Sequence, residues 1–279
     1  MSVIVTGGQG FIGGAVCREL DSRGIPYGVL DKSVGDVRNS QSYLDVSEHL
    51  PPVTNVIHLA GVLGTHELFD TPFEAVDINI KGSLQALEFC RNKGAGYTGI
   101  TMPQVFPSIY TATKIGSTAL ATAYNHTHNV PVSHVRAFNA FGPNQAHGAG
   151  HPQKIIPTFA YNAWYGLPLP VWGDGTQTVD LIHTTDLARM LVDATAFGEN
   201  QTFDGGTGVP FTVNEVLDMV GAVVGRPIEI EYLPMRRGER PTNIVALGEG
   251  WDTLGWKPEF RMDDFVETVN WYKSYDPHS

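Results

Sequence analysis

Tyr110 and Lys114 stand four residues apart in a stretch with a helical pattern, so both side chains project from one face. A phenol that ionises near pH ~10 is a poor base at neutrality. An ammonium beside it favours the phenolate and brings proton transfer into the working range. A second candidate group is the run Thr6-Gly7-Gly8-Gln9-Gly10-Phe11-Ile12-Gly13-Gly14, with glycines at 7, 10 and 13 in a GxxGxxG spacing. Glycines let a backbone turn tightly and approach a pyrophosphate, and a helix start behind them offers unpaired N–H groups. Asp31 follows Gly13 by 18 residues and ends the next apolar run. An acid there accepts the ribose hydroxyls of NAD and repels the 2′-phosphate of NADP. Lys32 beside it leaves NADP as the less favoured cofactor.

These groups need a scaffold, and the first half of the chain supplies the pattern of one. Val3–Val5, Tyr27–Leu30, Val56–Ala60, Thr98–Thr101 and Val132–Arg136 read as short strands, separated by helix-length stretches. The glycine run lies between the first strand and a helix pattern from Phe11 to Arg23. Such alternation marks parallel βαβ units. After about Asn139 the alternation lapses and Gly and Pro become frequent, which reads as a smaller, irregular portion.

The 279 residues carry 18 Lys+Arg against 29 Asp+Glu, a formal net charge of −11. Clustered cations for nucleic acid are missing, and Arg236-Arg237 is the only adjacent basic pair. No apolar run approaches the ~18 residues of a membrane span, and the N-terminus lacks a basic leader region, so a cytoplasmic location is expected. The two cysteines, Cys17 and Cys90, read as small core side chains. The ten histidines, His126 and His128 included, have no spacing that makes a tetrahedral set, so no metal is expected.

Taken in order, TGGQGFIGG (6–14), VIHLAG (56–61), NIKGSLQALE from Asn79, YTATK (110–114), RAFNAFGP (136–143), PLPVWGDG (168–175), DLIHTTDLA (180–188) and LGWKP (254–258) resemble the extended short-chain dehydrogenase/reductase family. Within it the chain is most similar to the nucleotide-sugar epimerase and dehydratase branch. The resemblance implies an α/β fold, a Rossmann-type doubly wound parallel sheet with a smaller C-terminal substrate-binding α+β portion. The division falls at 1–139 and 140–279, with the chain crossing back at about 176–208. It makes Tyr110 the acid/base and Lys114 the group that holds the nicotinamide ribose and tunes the phenol. It also implies NAD contacts from Gly7, Gly10, Phe11, Ile12, Gly13, Asp31, Leu59, Ala60, Gly61, Asn79 and Phe138. Substrate contacts would come from Asn139, from Val171 beside Trp172, and from Arg236 in Arg236-Arg237-Gly238-Glu239. A guanidinium suits a diphosphate because it makes bidentate bonds.

Two acidic pairs, Asp36-Val37 and Asp45-Val46, resemble the one that meets adenine after a third strand. A parallel crossover takes about a dozen residues. Only four residues separate Asp31 from Asp36 and 13 separate it from Asp45, so Asp45 and Val46 are preferred.

The sequence also departs from the branch. Met102 stands where relatives carry a catalytic hydroxyl, and thioether sulfur donates nothing. Thr101 is the nearest replacement, although strand neighbours face opposite sides. Ser108 is another donor. Pro103 and Gln104 occupy the positions of the paired acids of 4,6-dehydratases, which disfavours dehydration. Tyr110 follows after an unusually short loop, and Val179 replaces an Arg before Asp180. The expectation is an NAD-dependent nucleotide-sugar epimerase, most like a UDP-hexose 4-epimerase, working through a transient 4-keto sugar. It would act on a nucleotide-diphosphate sugar as a homodimer. The alternatives are a nucleotide-sugar or small-carbonyl reductase, and a cofactor-binding protein without turnover.

Overall fold

The computed structural model describes residues 1–103 and 105–276. Its first part runs β1 (Val3–Thr6), α1 (Phe11–Ser22), β2 (Tyr27–Leu30), α2 (Ser40–Ser47), β3 (Asn55–His58), α3 (Pro72–Ala75), a π-helical segment (Val76–Lys81), α4 (Gly82–Lys93), β4 (Gly96–Thr101), α5 (Ile109–His128) and β5 (Val132–Ala137). The second part runs β6 (Asn139–Phe141), α6 (Ile155–Tyr165), β7 (Leu169–Trp172), β8 (Thr178–His183), α7 (Thr184–Ala194), β9 (Glu199–Gly205), β10 (Pro210–Thr212), α8 (Val213–Val224), β11 (Ile230–Leu233), α9 (Trp251–Leu254) and α10 (Met262–Trp271).

Six strands form a parallel sheet in the order β2-β1-β3-β4-β5-β9. Every residue of β1 and of β3 is buried. Strands covered on both faces need continuous apolar runs, and this is why their sequences do not alternate. Side chains still take opposite faces. Val3 and Val5 join Val16, Leu20, Leu187 and Leu191 under α1 and α7, whereas Ile4 joins Tyr43, Leu87 and Val132 under α2, α4 and α5. The sheet is therefore doubly wound.

The smaller portion has its own core, built on Phe141, Phe159, Leu181, Val216, Phe265 and Tyr272. It holds the three-stranded sheet β10-β8-β6 and the pair β11-β7. Between β8 and β10 the chain returns to the main sheet, because α7 packs on α1 and β9 adds to β5.

The third strand expected beyond β2 is not there. Residues Ser40–Ser47 are helical, capped by Asn39, whose side chain accepts from the Gln41 amide at 3.0 Å. Asp45 lies exposed on that helix, bonded to the Gln41 side chain at 2.8 Å. Val46 packs beneath Gly28. Two crossovers of about a dozen residues each are needed to go out to a further strand and back. Only 23 residues separate Asp31 from Asn55, enough for one. The strand on which the choice of Asp45 and Val46 rested is thus excluded by length. Asp36 and Val37 instead lie on the connection leaving β2. Val37 is buried against Gly82, near His58 at the C-terminal end of β3.

Candidate active site

The glycine run folds as a turn between β1 and α1. Gly7 has φ +70°, and a Cβ there would fall 2.8 Å from the Ala60 nitrogen. Gly13 lies over the turn so closely that a Cβ would be 2.0 Å from the Gly7 carbonyl oxygen. Gly10 caps α1 without a side-chain bond, and no acid stands in the first turn. The first-turn N–H groups of Phe11 and Ile12 are thereby left for an anion. Thr6 braces the base of this cradle, its Oγ1 accepting from the Leu59 and Ala60 amides at 3.1 Å each. At the end of β2 the Asp31 carboxylate accepts from the Gln9 amide at 2.9 Å and from the Lys32 amide at 2.7 Å. This fixes a negative charge at the rim of the turn. A cradle that tolerates no side chain, an open helix start and a fixed acid at the rim fit the pyrophosphate and adenosine ribose of NAD.

Asn79 sits at the middle of the π-helical segment and is 2% exposed. Its Oδ1 accepts from the Val62 amide at 2.9 Å, while Nδ2 donates to the Val62 carbonyl at 3.1 Å and to Thr113 Oγ1 at 3.0 Å. The amide is spent on holding the segment after Gly61 to α5, so its effect on a cofactor runs through that backbone.

Ser108 opens α5 by accepting from the Thr111 amide at 3.1 Å. Its Oγ also lies 3.0 Å from Thr111 Oγ1, so the hydroxyl is engaged within the first turn of the helix. Tyr110 and Lys114 follow on the first turns of α5, both half-buried. Burial pushes the Tyr110 phenol up to about 12 and draws the Lys114 ammonium down to about 8, since a low-dielectric setting disfavours each charged form. Burial accounts for the rise at Tyr110. Lys114 does make itself felt at His58 and His134, lowered to about 3 and about 4, chiefly by burial and also by its charge. No carboxylate forms an ion pair with Lys114 among the described residues. Thr101 is buried at the end of β4, its Oγ1 3.0 Å from Thr118 Oγ1. Met102 and Pro103 follow it; Gln104 lies outside the described residues.

A second group gathers in the smaller portion. Val171 is fully buried in β7, and the Arg236 guanidinium lies 4.5 Å above the Trp172 ring. Arg236 is also paired with Glu239, at 2.9 Å from Nε and 2.7 Å from Nη2. Phe69 packs on Gly238, and Glu67 accepts from the Gln153 amide at 3.4 Å, so the 62–70 segment reaches across to this group. Phe138 is half-buried, its amide bonded to the Gly205 carbonyl at 3.0 Å, and Asn139 is exposed at the start of β6. Val179 lies within β8 opposite Phe211.

Three further residues were not singled out by their sequence context. Lys154, which precedes α6, is accessible to solvent yet held below its ordinary pKa, by burial first and by the Arg236 charge. Asp180 is fully buried and accepts from the amides of Thr207, Gly208 and Ala246, pinning the return from β9. Thr118, on α5, stands 3.0 Å from both Thr101 Oγ1 and the Lys114 carbonyl. Among the described residues no group of three His, Cys, Asp or Glu is placed to hold a metal, and no helix is long and apolar enough to cross a membrane.

Fold and site together define a Rossmann-type, dinucleotide-dependent enzyme of the short-chain dehydrogenase/reductase superfamily. Comparison with known proteins makes that specific. The family model described as "NAD dependent epimerase/dehydratase family" matches residues 3–101 and 101–204, and the chain belongs to that family, whose cofactor is NAD. The chain is similar to a UDP-glucuronate 4-epimerase of Thermodesulfobacterium geofontis, 28% identical over 257 residues that cover 85% of this chain and 78% of the relative. A UDP-glucose 4-epimerase of Mycolicibacterium smegmatis is 25% identical, with 98% and 99% of the two chains covered. Among solved structures, the UDP-glucose 4-epimerase of Thermus thermophilus in complex with NAD superposes with a TM-score of 0.84 at 24% identity, over 98% of this chain and 99% of that one. That last likeness carries the fold.

Proposed function

We propose that the protein is a nucleotide-sugar epimerase, most similar to UDP-hexose 4-epimerases. The observation that carries the reading is the placement of Tyr110 and Lys114 on one face of α5, beside the backbone that follows β3, with Met102 and Pro103 offering no acid after Thr101. Bound NAD would supply the hydride chemistry, accepting and giving back hydride at the sugar carbon, so that only the proton and the positioning are left to this chain's own residues. Tyr110 removes the proton of the sugar hydroxyl and later restores it. The Lys114 ammonium favours the phenolate and holds the ribose near it. Residues 1–139, joined by the return through α7 and β9, serve the cofactor and the rest of 140–279 the substrate, with Arg236 on the diphosphate, Val171 and Trp172 at the base, and Asn139 and Phe138 at the junction. Asp36 and Val37, not Asp45 and Val46, take the adenine side, because Val37 is the buried member of the two pairs nearest the C-terminal end of β3.

The reading includes a cytoplasmic homodimer. In support of the dimer, Phe73, Val76 and Ile115 of the helical layer around α5 are 88%, 51% and 54% exposed. The test is interconversion of UDP-glucose and UDP-galactose by purified protein without added NAD, against Tyr110→Phe. Proton transfer by a positioned side chain is worth about 10²–10⁴-fold, and the variant should lose that much while keeping NAD. Full activity in the variant sinks the base assignment. Stoichiometric consumption of NADH with no interconversion favours a reductase.

A further inference from the structure

The turn of α5 that carries Tyr110 and Lys114 is tied down by hydroxyls on two flanks. Toward the π-helical segment, Thr113 Oγ1 donates to the Tyr110 carbonyl at 2.8 Å and receives Asn79 Nδ2. Ser117 Oγ lies 2.9 Å from the Asn79 carbonyl and 2.9 Å from that of Thr113. Gly116 permits the approach, because a Cβ there would fall 2.7 Å from Ile80 Cδ1. Toward the sheet, Thr118 Oγ1 stands 3.0 Å from Thr101 Oγ1 and 3.0 Å from the Lys114 carbonyl. The carbonyls of Tyr110, Thr113 and Lys114 thus each meet a side-chain hydroxyl beyond their place in the helix ladder. Such back-bonds shift and bend a helix locally, so they set where its side chains emerge.

The Thr101–Thr118–Lys114 chain matters for the chemistry because Met102 carries no hydroxyl and Thr101 looks like its replacement. A hydroxyl has one proton and two lone pairs. Thr101 is buried inside the β4–α5 contact, where its Oγ1 accepts from Thr118, whose one proton is shared with the Lys114 carbonyl at the same distance. We propose that Thr101 and Thr118 are positioning residues whose paired hydroxyls brace the Lys114 turn of α5 against the end of β4, so that Thr101 acts on Tyr110 only through that lysine. This rests on the reading of Tyr110 as the base and Lys114 as its partner. Burial by itself holds the phenol protonated, and electrostatic help falls off with distance, so phenolate formation depends on where the ammonium is held.

The test is a pH titration of the Tyr110 phenol in the NAD-loaded protein, read as phenolate absorbance against Tyr110→Phe. Thermal melting and calorimetric NAD affinity are measured beside it. Thr118→Val keeps the shape of the side chain and removes the hydroxyl. Its midpoint should rise by about one pH unit, a tenfold loss of phenolate at fixed pH. Thr118→Ser should restore the midpoint. Thr101→Val should match Thr118→Val, and the double variant should be no worse than either, since the two hydroxyls form one chain. An unchanged midpoint in a folded Thr118→Val protein overturns the proposal, as does a Thr101→Val effect that adds in full to that of Thr118→Val. Should Thr118→Val not fold, Thr101→Val decides: a risen midpoint supports the brace and an unchanged one overturns it. A phenol that titrates at its ordinary value in the unaltered NAD complex removes Tyr110 as the base, a failure separate from any behaviour of the threonine variants.

Discussion

Gly13→Ala isolates the cofactor cradle from the rest of the fold. The added methyl would lie 2.0 Å from the Gly7 carbonyl oxygen, 2.7 Å from Gly8 Cα and 2.8 Å from the Gly7 carbonyl carbon. All three are backbone atoms, so no side-chain rotation relieves the overlap. Ordinary contact lies near ~3.5 Å, so the turn and the start of α1 must part by about 1.5 Å. Overpacking of this kind costs about 1–3 kcal/mol, which a domain stable by ~5–15 kcal/mol survives. Binding suffers more. A displacement of that size breaks the alignment of first-turn N–H groups with a phosphate, and each charged hydrogen bond is worth about 1.5–3 kcal/mol. Losing two gives a rise in Kd of at least about 10²-fold. The neighbouring control is Gly14→Ala, whose methyl meets nothing nearer than 3.6 Å. Within α1 that change should gain up to about 1 kcal/mol of helix propensity and leave affinity alone. Calorimetry with NAD and thermal unfolding of the three proteins provide the comparison. If Gly13→Ala binds NAD as tightly as the parent, or Gly14→Ala loses as much, the cradle argument is wrong.

Two other outcomes follow from the site. Asp31→Asn removes the fixed charge at the rim, and the ratio of NADP to NAD affinity should rise by at least about tenfold; an unchanged ratio would place the selecting group elsewhere. Lys114 carries a folded pKa of about 8 against an ordinary 10.5, so between these values the unfolded chain binds the proton that the folded one has released. Stability from this group therefore rises with pH across that window, and below it the buried charge is a standing cost. Lys114→Met should melt above the parent at neutral pH while losing turnover, with the margin shrinking toward pH 10.5. A margin that grows with pH reverses the sign and refutes the argument.

Local pattern made the first half of the molecule readable. Strands buried on both faces leave continuous apolar runs, the glycine spacing falls in the first turn, and the 20-residue pattern before β5 is α5, Ile109–His128. Asp31 follows directly on Leu30, the last residue of β2, and the Tyr110–Lys114 spacing marks one helix face. What pattern leaves open is the choice of distant partners. The Asp-hydrophobe pairs at 36–37 and 45–46 look alike as words. Only the chain length available between Asp31 and Asn55 decides that the second is helical. Asn79 reads as a cofactor contact, yet its amide goes to Val62 and Thr113, 17 and 34 residues away. Thr101 looks like a substitute hydroxyl until Thr118, on the next helix, is seen to hold it. Lys154 gives no signal of its own, because the charges that act on it, Glu67, Arg236 and Glu239, lie far along the chain.

The short connection after β2 has a consequence in time as well as in shape. With no strand outside β2, residues 31–39 are what close that side of the proposed cofactor site, held by the buried Val37 and, around it, by charge. Asp36 pairs with Arg38, Arg38 with Asp77 of the π-helical segment, and Asp77 with Lys81. These groups are 36–59% exposed and so open to screening, which shrinks the reach of a charge from ~10 Å at 0.1 M salt to ~3 Å at 1 M. A hydrophobic strand would hold its place as salt rises, but an ionic strap loosens. The residence time of the dinucleotide should therefore shorten with ionic strength, so that the surrounding salt governs how many catalytic cycles one cofactor outlasts.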